Sequence, residues 1–310
     1  KFGPDYFLPT DAYLETCAAV GAGFFSQRMN QLTCNARYMD EVERVLYNNV
    51  LTGVSLSGDK YTYQNPLNTD KPDRWEWHVC PCCPPMFLKI MAAMPGYIYA
   101  YQGDNVYVNL FIGSEVRIPV GDNSVRLKQL TSYPWHGAVS IQVNPDKAST
   151  FSMKVRIPGW AQGTENPYDL YQSNLKAPVK LKVNQEDVLL RIVDGYAEIN
   201  REWKKGDHIE LELPMQPRLI TANKAVENLR GQVALASGPI IYCFEDADNP
   251  ELQTFKLQAQ TPLELSHDSN LLNGVNIIKC QGDIPAKAIP YYAVANREES
   301  HSYKVWIPQK

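Results

Sequence analysis

The sequence has no apolar stretch long enough to cross a membrane and no block of basic residues. A membrane span needs about 18 to 20 consecutive apolar residues, and no run reaches that length. The 30 Lys and Arg residues against 34 Asp and Glu residues give a net charge of −4, without a cluster that would attract nucleic acid or an anionic membrane. We therefore expect a soluble protein with neither of these partners.

The first residues, KFGPDYFLPTD, lack an initiator Met. They also lack the charged start, apolar core and small-residue cleavage site of a signal peptide. The sequence begins directly in a Pro-containing loop, and we interpret the chain as an N-terminally truncated fragment. Its cellular location stays open between the cytoplasm and the periplasm.

Neither repeats nor low-complexity segments interrupt the sequence, and its first hundred residues have helical patterning. Thr10 or Asp11 is a suitable N-cap for a helix through LETCAAVGAGFFSQRMNQL, and Pro84-Pro85 suits the first turn of a third helix. Three helices and a long loop cannot close a domain, so we expect them to pack on protein outside this chain. The residues at helical spacing on the second helix are Tyr38, Val42, Val45, Leu46 and Asn49, and those that the third helix is expected to bury are Phe87, Ile90, Met91 and Met94.

After residue 103 the pattern changes to a period of two. The segments NVYVNLFIG, EVRIPV, SVRLKQL, AVSIQV, FSMKVRI, VKLKV, YAEI and HIELEL alternate between apolar and polar residues and are separated by short turns. This spacing predicts an antiparallel β-sandwich. A second β region, from VALASGPIIYCFE to the end, has longer connections, and we place a boundary between Thr221 and Glu227.

The seven cysteines are an odd number in a chain too large to need disulfides, and three crowd into Cys80-Pro81-Cys82-Cys83. Cys34, Cys243 and Cys280 stand alone in apolar surroundings, where small buried thiols need no function. Cys80 could be a neighbouring thiol or a competing ligand of the pair that follows it.

Glu15 and Cys17 lie two positions apart, and Cys82-Cys83 follow 65 positions later (82 − 17). Three thiolates and a carboxylate form a plausible tetrahedral zinc set. The N-terminus of the helix that begins at Pro84 and a bound metal both favour thiolate over thiol, so we expect at least one charged sulfur at neutral pH. Two unrelated buried thiols, a redox pair and a purely structural metal remain open on spacing alone.

Eight phrases in the same order resemble one family. They are FGPDYFLPTDAYLETCAAVG, DEVERVLYNNVLTGVS, YTYQNPL, CPCCPPMFLKIMAAMPGYIY, VRIPGWA, DGYAEINREWKKGDHIELELPM, GQVALASGPIIYCFE and IPYYAVANREESHSYKVWIP. The sequence resembles the β-L-arabinofuranosidases of bacterial glycoside hydrolase family 127, with family 146 as a close relative.

The resemblance implies an α+β multidomain fold in which the last helices of an (α/α)6 barrel are followed by antiparallel β-sandwich domains. Residues 1–103 would hold those helices and the zinc-thiolate site, residues 104–225 a β-sandwich, and residues 226–310 a second β-sandwich region. The N-terminal half of the barrel would then be a partner outside this chain.

The resemblance also implies residue roles. Zn2+ would be held by Glu15, Cys17, Cys82 and Cys83, and Cys82 would be the catalytic nucleophile. The acid/base glutamate would fall just before Lys1, so this chain lacks it and is expected to be inactive alone.

Two further residues resemble sugar-binding positions of the family. Glu43 resembles a pocket carboxylate, against the alternative of a helix-surface or Arg44-paired group, and Tyr63 resembles a sugar-contacting tyrosine, against an ordinary loop aromatic. Trp75 and His78 are close enough in sequence to line the same pocket, although packing is the expected role.

We thus expect a zinc-dependent retaining glycoside hydrolase that removes terminal β-L-arabinofuranose, or a related furanoside, from plant glycans. Two alternatives belong to other classes. One is a non-catalytic carbohydrate-binding or structural β module with a structural zinc, and the other is a thiol redox protein with a Cys82-Cys83 disulfide.

Overall fold

A computed structural model describes residues 3–77, 79–166, 169–282 and 284–310. Its helices are α1 (Thr16–Thr33), α2 (Arg37–Val45) and α3 (Cys83–Ala93). A π-helical turn, Leu46–Val50, continues α2, and a 3-10 turn, Met94–Tyr97, continues α3. Within the described ranges, no helix is both long and apolar enough to span a membrane.

The three helices pack together at one close crossing. A Cβ atom at Gly23 of α1 would lie 3.1 Å from Ile90 on α3 and 3.2 Å from Val45 on α2, so a larger residue would push the helices apart. Val20, Val42 and Ile90 are buried around this point. The crossing therefore fixes how α1 and α3 approach each other.

The remainder of the described chain is β structure with shorter 3-10 turns. Twenty-three strands form four sheets. The strands are β1 (Lys60–Tyr61), β2 (Asn68–Thr69), β3 (Trp75–Glu76), β4 (Tyr99–Gln102), β5 (Asn105–Val108), β6 (Ser114–Val120), β7 (Asn123–Thr131), β8 (Ala138–Pro145), β9 (Ser149–Arg156), β10 (Tyr171–Ser173), β11 (Lys180–Val183), β12 (Glu186–Asp187), β13 (Ile192–Val193), β14 (Tyr196–Trp203), β15 (Asp207–Glu212), β16 (Arg218–Ala222), β17 (Gln232–Ser237), β18 (Ile240–Glu245), β19 (Leu263–Asp268), β20 (Val275–Cys280), β21 (Ala286–Pro290), β22 (Tyr303–Lys304) and β23 (Ile307–Pro308).

Two sheets form the central sandwich. One has the order β12-β11-β15-β8-β7-β6 and the other β13-β14-β9-β5-β4. Their inward residues, such as Val125, Ile141 and Met153, belong to one hydrophobic core. Because β5 and β9 pair in parallel, the expectation of a purely antiparallel sandwich is wrong at that pair.

The C-terminal sheet has the order β10-β16-β17-β18-β21-β20-β19. Two short strands near the C-terminus also pair with it, β22 with β18 and β23 with β17. Strand β2, in the loop between α2 and α3, pairs with β22 near the C-terminus. The helical part and the last sheet are therefore joined directly.

Three expectations about the helices are corrected. Helix α1 begins at Thr16, with Glu15 at its N-cap, and not after Thr10 or Asp11. Strand β4 occupies Tyr99–Gln102, where helical patterning was expected, whereas the expected long loop is present over much of residues 51–82 and carries three two-residue strands. Met91 is 38% exposed rather than buried, because helical spacing identifies a face but not what covers it.

Candidate metal and active site

The loop after β1 fixes the start of α1. The backbone N–H of Thr16 donates to the Tyr63 carbonyl at 3.1 Å, and the Thr16 hydroxyl donates to the Thr62 carbonyl at 2.6 Å. The Asn65 amide donates to the Leu14 carbonyl at 3.1 Å. An isolated β-bridge pairs Glu15 with Gln64. These bonds hold Glu15 and Cys17 in place at the first turn.

The other two candidate ligands stand at the start of α3. Cys82 is the N-cap and Cys83 the first residue of the helix, and Pro84 occupies the first turn, where a missing N–H costs nothing. The sequence places α3 at Pro84-Pro85, one residue later than observed. Four donors thus come together from two helix starts that are far apart in sequence.

Two of the distances between the four donor atoms match the spacing that a tetrahedral zinc ion requires. Zn–S bonds of about 2.3 Å and Zn–O bonds of about 2.1 Å place ligand atoms about 3.6 to 3.8 Å apart. The Sγ atoms of Cys82 and Cys83 are 3.7 Å apart, and Cys82 Sγ lies 3.8 Å from Glu15 Oε1. Cys17 Sγ is 3.3 Å from Cys83 Sγ, and all four donors lie within 4.8 Å of one another. The Cys17–Cys83 distance is shorter than tetrahedral zinc spacing, but the donor types are ones that zinc accepts, so the set is suited to a metal ion.

The protein groups around these sulfurs disfavour thiolates. Burial raises the pKa of the Cys17 thiol to about 12, and it raises the pKa of the Cys82 and Cys83 thiols to about 11 each. A bound cation would supply the missing charge compensation, because coordination deprotonates thiols outright.

Tyr13 was not identified from the sequence. Its hydroxyl donates to Glu15 Oε2 at 2.9 Å, while Glu15 Oε1 faces the Cys82 sulfur. Cys80 Sγ lies 3.4 Å from Cys82 Sγ, but Cys80 is outside the four-donor cluster, as a neighbouring thiol would be.

The other cysteines stand apart from this site. Cys243 and Cys280 are buried, whereas Cys34 is half-buried, with its Sγ 3.7 Å from Gln102 Oε1. Cys34 therefore departs from the expected buried position.

Tyr63 lies beside the cluster and stacks on Trp75, with ring centroids 4.8 Å apart and an interplanar angle of 1°. The Tyr63 and Tyr13 rings are in a T-shaped arrangement, with centroids 6.1 Å apart. A hydrogen bond with Tyr13 raises the pKa of Tyr63, so its hydroxyl stays protonated. Both Tyr63 and Trp75 line a cavity of about 320 Å³. His78, considered for the same pocket, is outside the described residues.

Glu43 does not face a pocket, and the expectation that it does is corrected. It is 1% exposed, and Arg156 donates to both of its oxygens. Tyr133 donates to Oε1 at 2.8 Å and Trp160 to Oε2 at 3.2 Å. The alternative of pairing with Arg44 is also wrong, because Arg44 pairs with Glu41.

Comparisons with known proteins cover nearly the whole chain. Residues 1–96 match the catalytic domain of β-L-arabinofuranosidase, glycoside hydrolase family 127. Residues 105–215 match the middle domain of that family, and residues 217–308 match its C-terminal domain. The domain bounds expected from the sequence, with boundaries after residues 103 and 225, remain predictions.

Individual relatives agree with these matches. The chain is 31% identical to a non-reducing end β-L-arabinofuranosidase of Bifidobacterium longum subsp. longum, over 96% of the chain and 50% of the relative. It is similar to a solved structure of a family 127 β-arabinofuranosidase, with 36% identity, a TM-score of 0.94, and coverage of 100% of this chain and 51% of the other.

A third relative is a family 127 β-L-arabinofuranosidase from Geobacillus stearothermophilus T6. It has 35% identity and a TM-score of 0.91, and the match covers 100% of this chain and 52% of the other. The chain thus spans about half the length of the relatives it matches. With three consecutive domains matched in order and the fold shared over its whole length, the chain belongs to glycoside hydrolase family 127.

Proposed function

We propose that this chain is the C-terminal part of a zinc-dependent retaining glycosidase whose nucleophile is Cys82. Its substrate would be a terminal β-L-arabinofuranoside, or a related furanoside, of plant glycans. The observation that supports this most directly is the set of four donors that lie within 4.8 Å of one another in a family 127 chain. The relatives named above, which are β-arabinofuranosidases, supply the sugar class.

Cys82 is a better candidate nucleophile than Cys83 on accessibility. Cys83 is buried in the helix start, whereas Cys82 is half-buried at the N-cap. Cys17 is also half-buried, and the family resemblance favours Cys82 over it.

The reaction follows double displacement. The Cys82 sulfur attacks the anomeric carbon while the bond to the leaving oxygen breaks, and water then displaces the sulfur with overall retention. Bound zinc would keep Cys82 deprotonated for attack and stabilise it as a leaving thiolate. Glu15, held by Tyr13, would orient the site, and Tyr63 would contact the sugar.

The proton donor for the leaving oxygen would come from outside the chain. General acid catalysis contributes about 10²- to 10⁴-fold, so we expect the chain to be inactive without that group. The helices also leave large apolar side chains uncovered, with Phe25 64% and Leu32 74% exposed. This surface suits the packing of further helices, and we propose that α1 to α3 are the last helices of an (α/α)6 barrel.

The test is the activity of the full-length protein on a chromogenic β-L-arabinofuranoside. Cys82→Ser should lower kcat/KM by at least about 10³-fold, because an alcohol is a much weaker nucleophile than a thiolate. Cys80→Ser is the matched control, since its sulfur is only 3.4 Å from that of Cys82. Undiminished activity of Cys82→Ser would overturn the nucleophile assignment.

A non-catalytic β module with a structural zinc is the alternative, and the half-length match to the relatives keeps it open. A haloacetyl derivative of arabinofuranose separates the two proposals. The catalytic proposal predicts covalent labelling of Cys82, detected by peptide mass spectrometry. The structural-zinc alternative predicts no selective labelling of Cys82.

A further inference from the structure

A second concavity lies between the central sandwich and the C-terminal sheet. We call it the inter-sheet groove and define it by Trp135, His136, Met215, Gln216, Leu265 and His267. Its volume is about 800 Å³, within the range of about 300 to 1,000 Å³ that is usual for ligand sites, which often lie at domain interfaces. None of the four described zinc-ligand candidates lines it.

The floor of the inter-sheet groove is fixed by close backbone packing. A Cβ atom at Gly137 would lie 1.9 Å from the Leu213 carbonyl oxygen, and the Leu213 N–H donates to the Gly137 carbonyl at 3.0 Å. The Ser237 hydroxyl donates to the Met215 carbonyl at 2.6 Å. A site held in this way loses little freedom on binding, which favours affinity.

The walls combine an aromatic side chain with planar polar groups. Trp135 is half-buried and packs against Tyr292, with ring centroids 6.4 Å apart. His136, Gln216 and His267 are exposed. The His267 ring is oriented by Asn276, whose Oδ1 lies 3.0 Å from Nδ1.

The charges that line the groove are balanced. Lys180 on β11 and Glu212 on β15 are directly opposite each other in the sheet. A groove without excess charge gives no electrostatic preference for an anionic polymer. A ligand with an apolar face for Trp135 and hydroxyls for the histidines and Gln216 fits this lining.

We propose that the inter-sheet groove binds a neutral oligosaccharide chain. A sugar ring presents a C–H face and a rim of hydroxyls, which match Trp135 and the polar side chains around it. The choice of carbohydrate rests on the proposed function, but the groove does not depend on the cysteine site. Holding the polymer at a second place would raise the local concentration of its ends near the site.

Binding is measured by titration calorimetry on the full-length Cys82→Ser protein, which cannot consume the ligand. The probe is a linear neutral arabino-oligosaccharide, with polygalacturonate as the charged comparison. We expect binding of the neutral probe, weakened at least about tenfold by Trp135→Ala. Because Trp135 is half-buried, its truncation also removes packing. The double variant His136→Ala and His267→Ala changes only exposed side chains, and we expect it to weaken binding of the neutral probe in the same way.

Tyr101→Ala is the control, since Tyr101 is an exposed aromatic on β4 outside the groove. Equal affinity in the double histidine variant, or tighter binding of polygalacturonate than of the neutral probe, would overturn the proposal. In the full-length protein that retains Cys82, the same groove variants should leave hydrolysis of a small chromogenic substrate unchanged. Absence of hydrolysis by the protein with an unmodified groove, together with binding of the neutral probe, would therefore count against the proposed function and not against the groove.

Discussion

At the scale of single residues, the two oxygens of Glu15 have separate tasks. Oε1 faces the Cys82 sulfur at 3.8 Å, and Oε2 accepts a hydrogen bond from Tyr13 at 2.9 Å. Groups that orient a metal ligand from behind typically change metal affinity about 10- to 100-fold when removed. Tyr13 is therefore a positioning residue for the proposed zinc.

We predict that Tyr13→Phe binds zinc at least about tenfold more weakly, because the ring contact with Tyr63 remains while the hydrogen bond to Glu15 is lost. Zinc transfer to a chromogenic chelator from the full-length protein measures the effect. Tyr101→Phe, on an exposed strand away from the cluster, should behave like the unchanged protein. Equal zinc retention in the two variants would show that Tyr13 does not position Glu15.

The sequence predicted the four candidate donors that the structure brings together, but not what supports them. The Glu-x-Cys and Cys-Cys patterns can be recognised as candidate zinc ligands because cysteine and glutamate side chains bind zinc. Tyr13 could not be recognised, since its bond to Glu15 depends on the loop geometry before α1. The error at Glu43 has a similar cause, because its partner Arg156 lies 113 positions away.

At the scale of elements, Arg156 joins α2 to the sandwich. It lies at the end of β9, is fully buried, and pairs with Glu43 and with Asp40, whose Oδ1 is 2.6 Å from the guanidinium. It also donates to the Asn109 carbonyl at 2.5 Å. This pairing holds the helices against the β domain.

We predict that Glu43→Gln lowers the free energy of unfolding by about 2 to 4 kcal/mol, because it removes one partner of a buried ion pair while Asp40 remains. Glu41→Gln, which removes the partly exposed pair with Arg44, should cost less than about 1 kcal/mol. Urea unfolding of the two variants measures both changes. Equal midpoints would mean that Glu43 contributes no more than a surface charge.

Strands were predicted better than the connections between helices. Alternation with a period of two located β6 to β9, β14 and β15 to within a few residues, because each has one face in the core. It could not identify the partner of β5, since alternation is the same in parallel and antiparallel pairs. The loop of residues 51–82 has no periodicity, so its short pairings were missed.

At the scale of the whole molecule, Arg74 connects three parts of the chain. Its guanidinium donates to the carbonyls of Thr52 at 2.9 Å, Val294 at 2.8 Å and Ala295 at 3.1 Å. Burial lowers its pKa to about 10, so it remains charged at neutral pH. Together with the β2–β22 pair, it ties the loop that supports the candidate metal site to the C-terminal sheet.

We predict that Arg74→Met loosens this connection. Hydrogen bonds to a charged donor are worth about 1.5 to 3 kcal/mol, and their loss leaves several carbonyls without this donor. Hydrogen–deuterium exchange should increase in residues 291–297 and 60–69, with Arg230→Met, which removes an exposed cation, as the comparison. Unchanged exchange in both segments would show that the β pairing alone joins the two parts.

The separation of the sulfurs along the chain has a further consequence. Cys17 and Cys83 are 66 positions apart, yet their sulfurs lie 3.3 Å from each other. An ion held by both would act as a cross-link that closes a long loop, and closing a loop of this length restricts the unfolded chain by about 4 kcal/mol on the chain-entropy model. The same ion that activates a nucleophile would then also brace α1 against α3, so that loss of metal weakens the scaffold together with the chemistry.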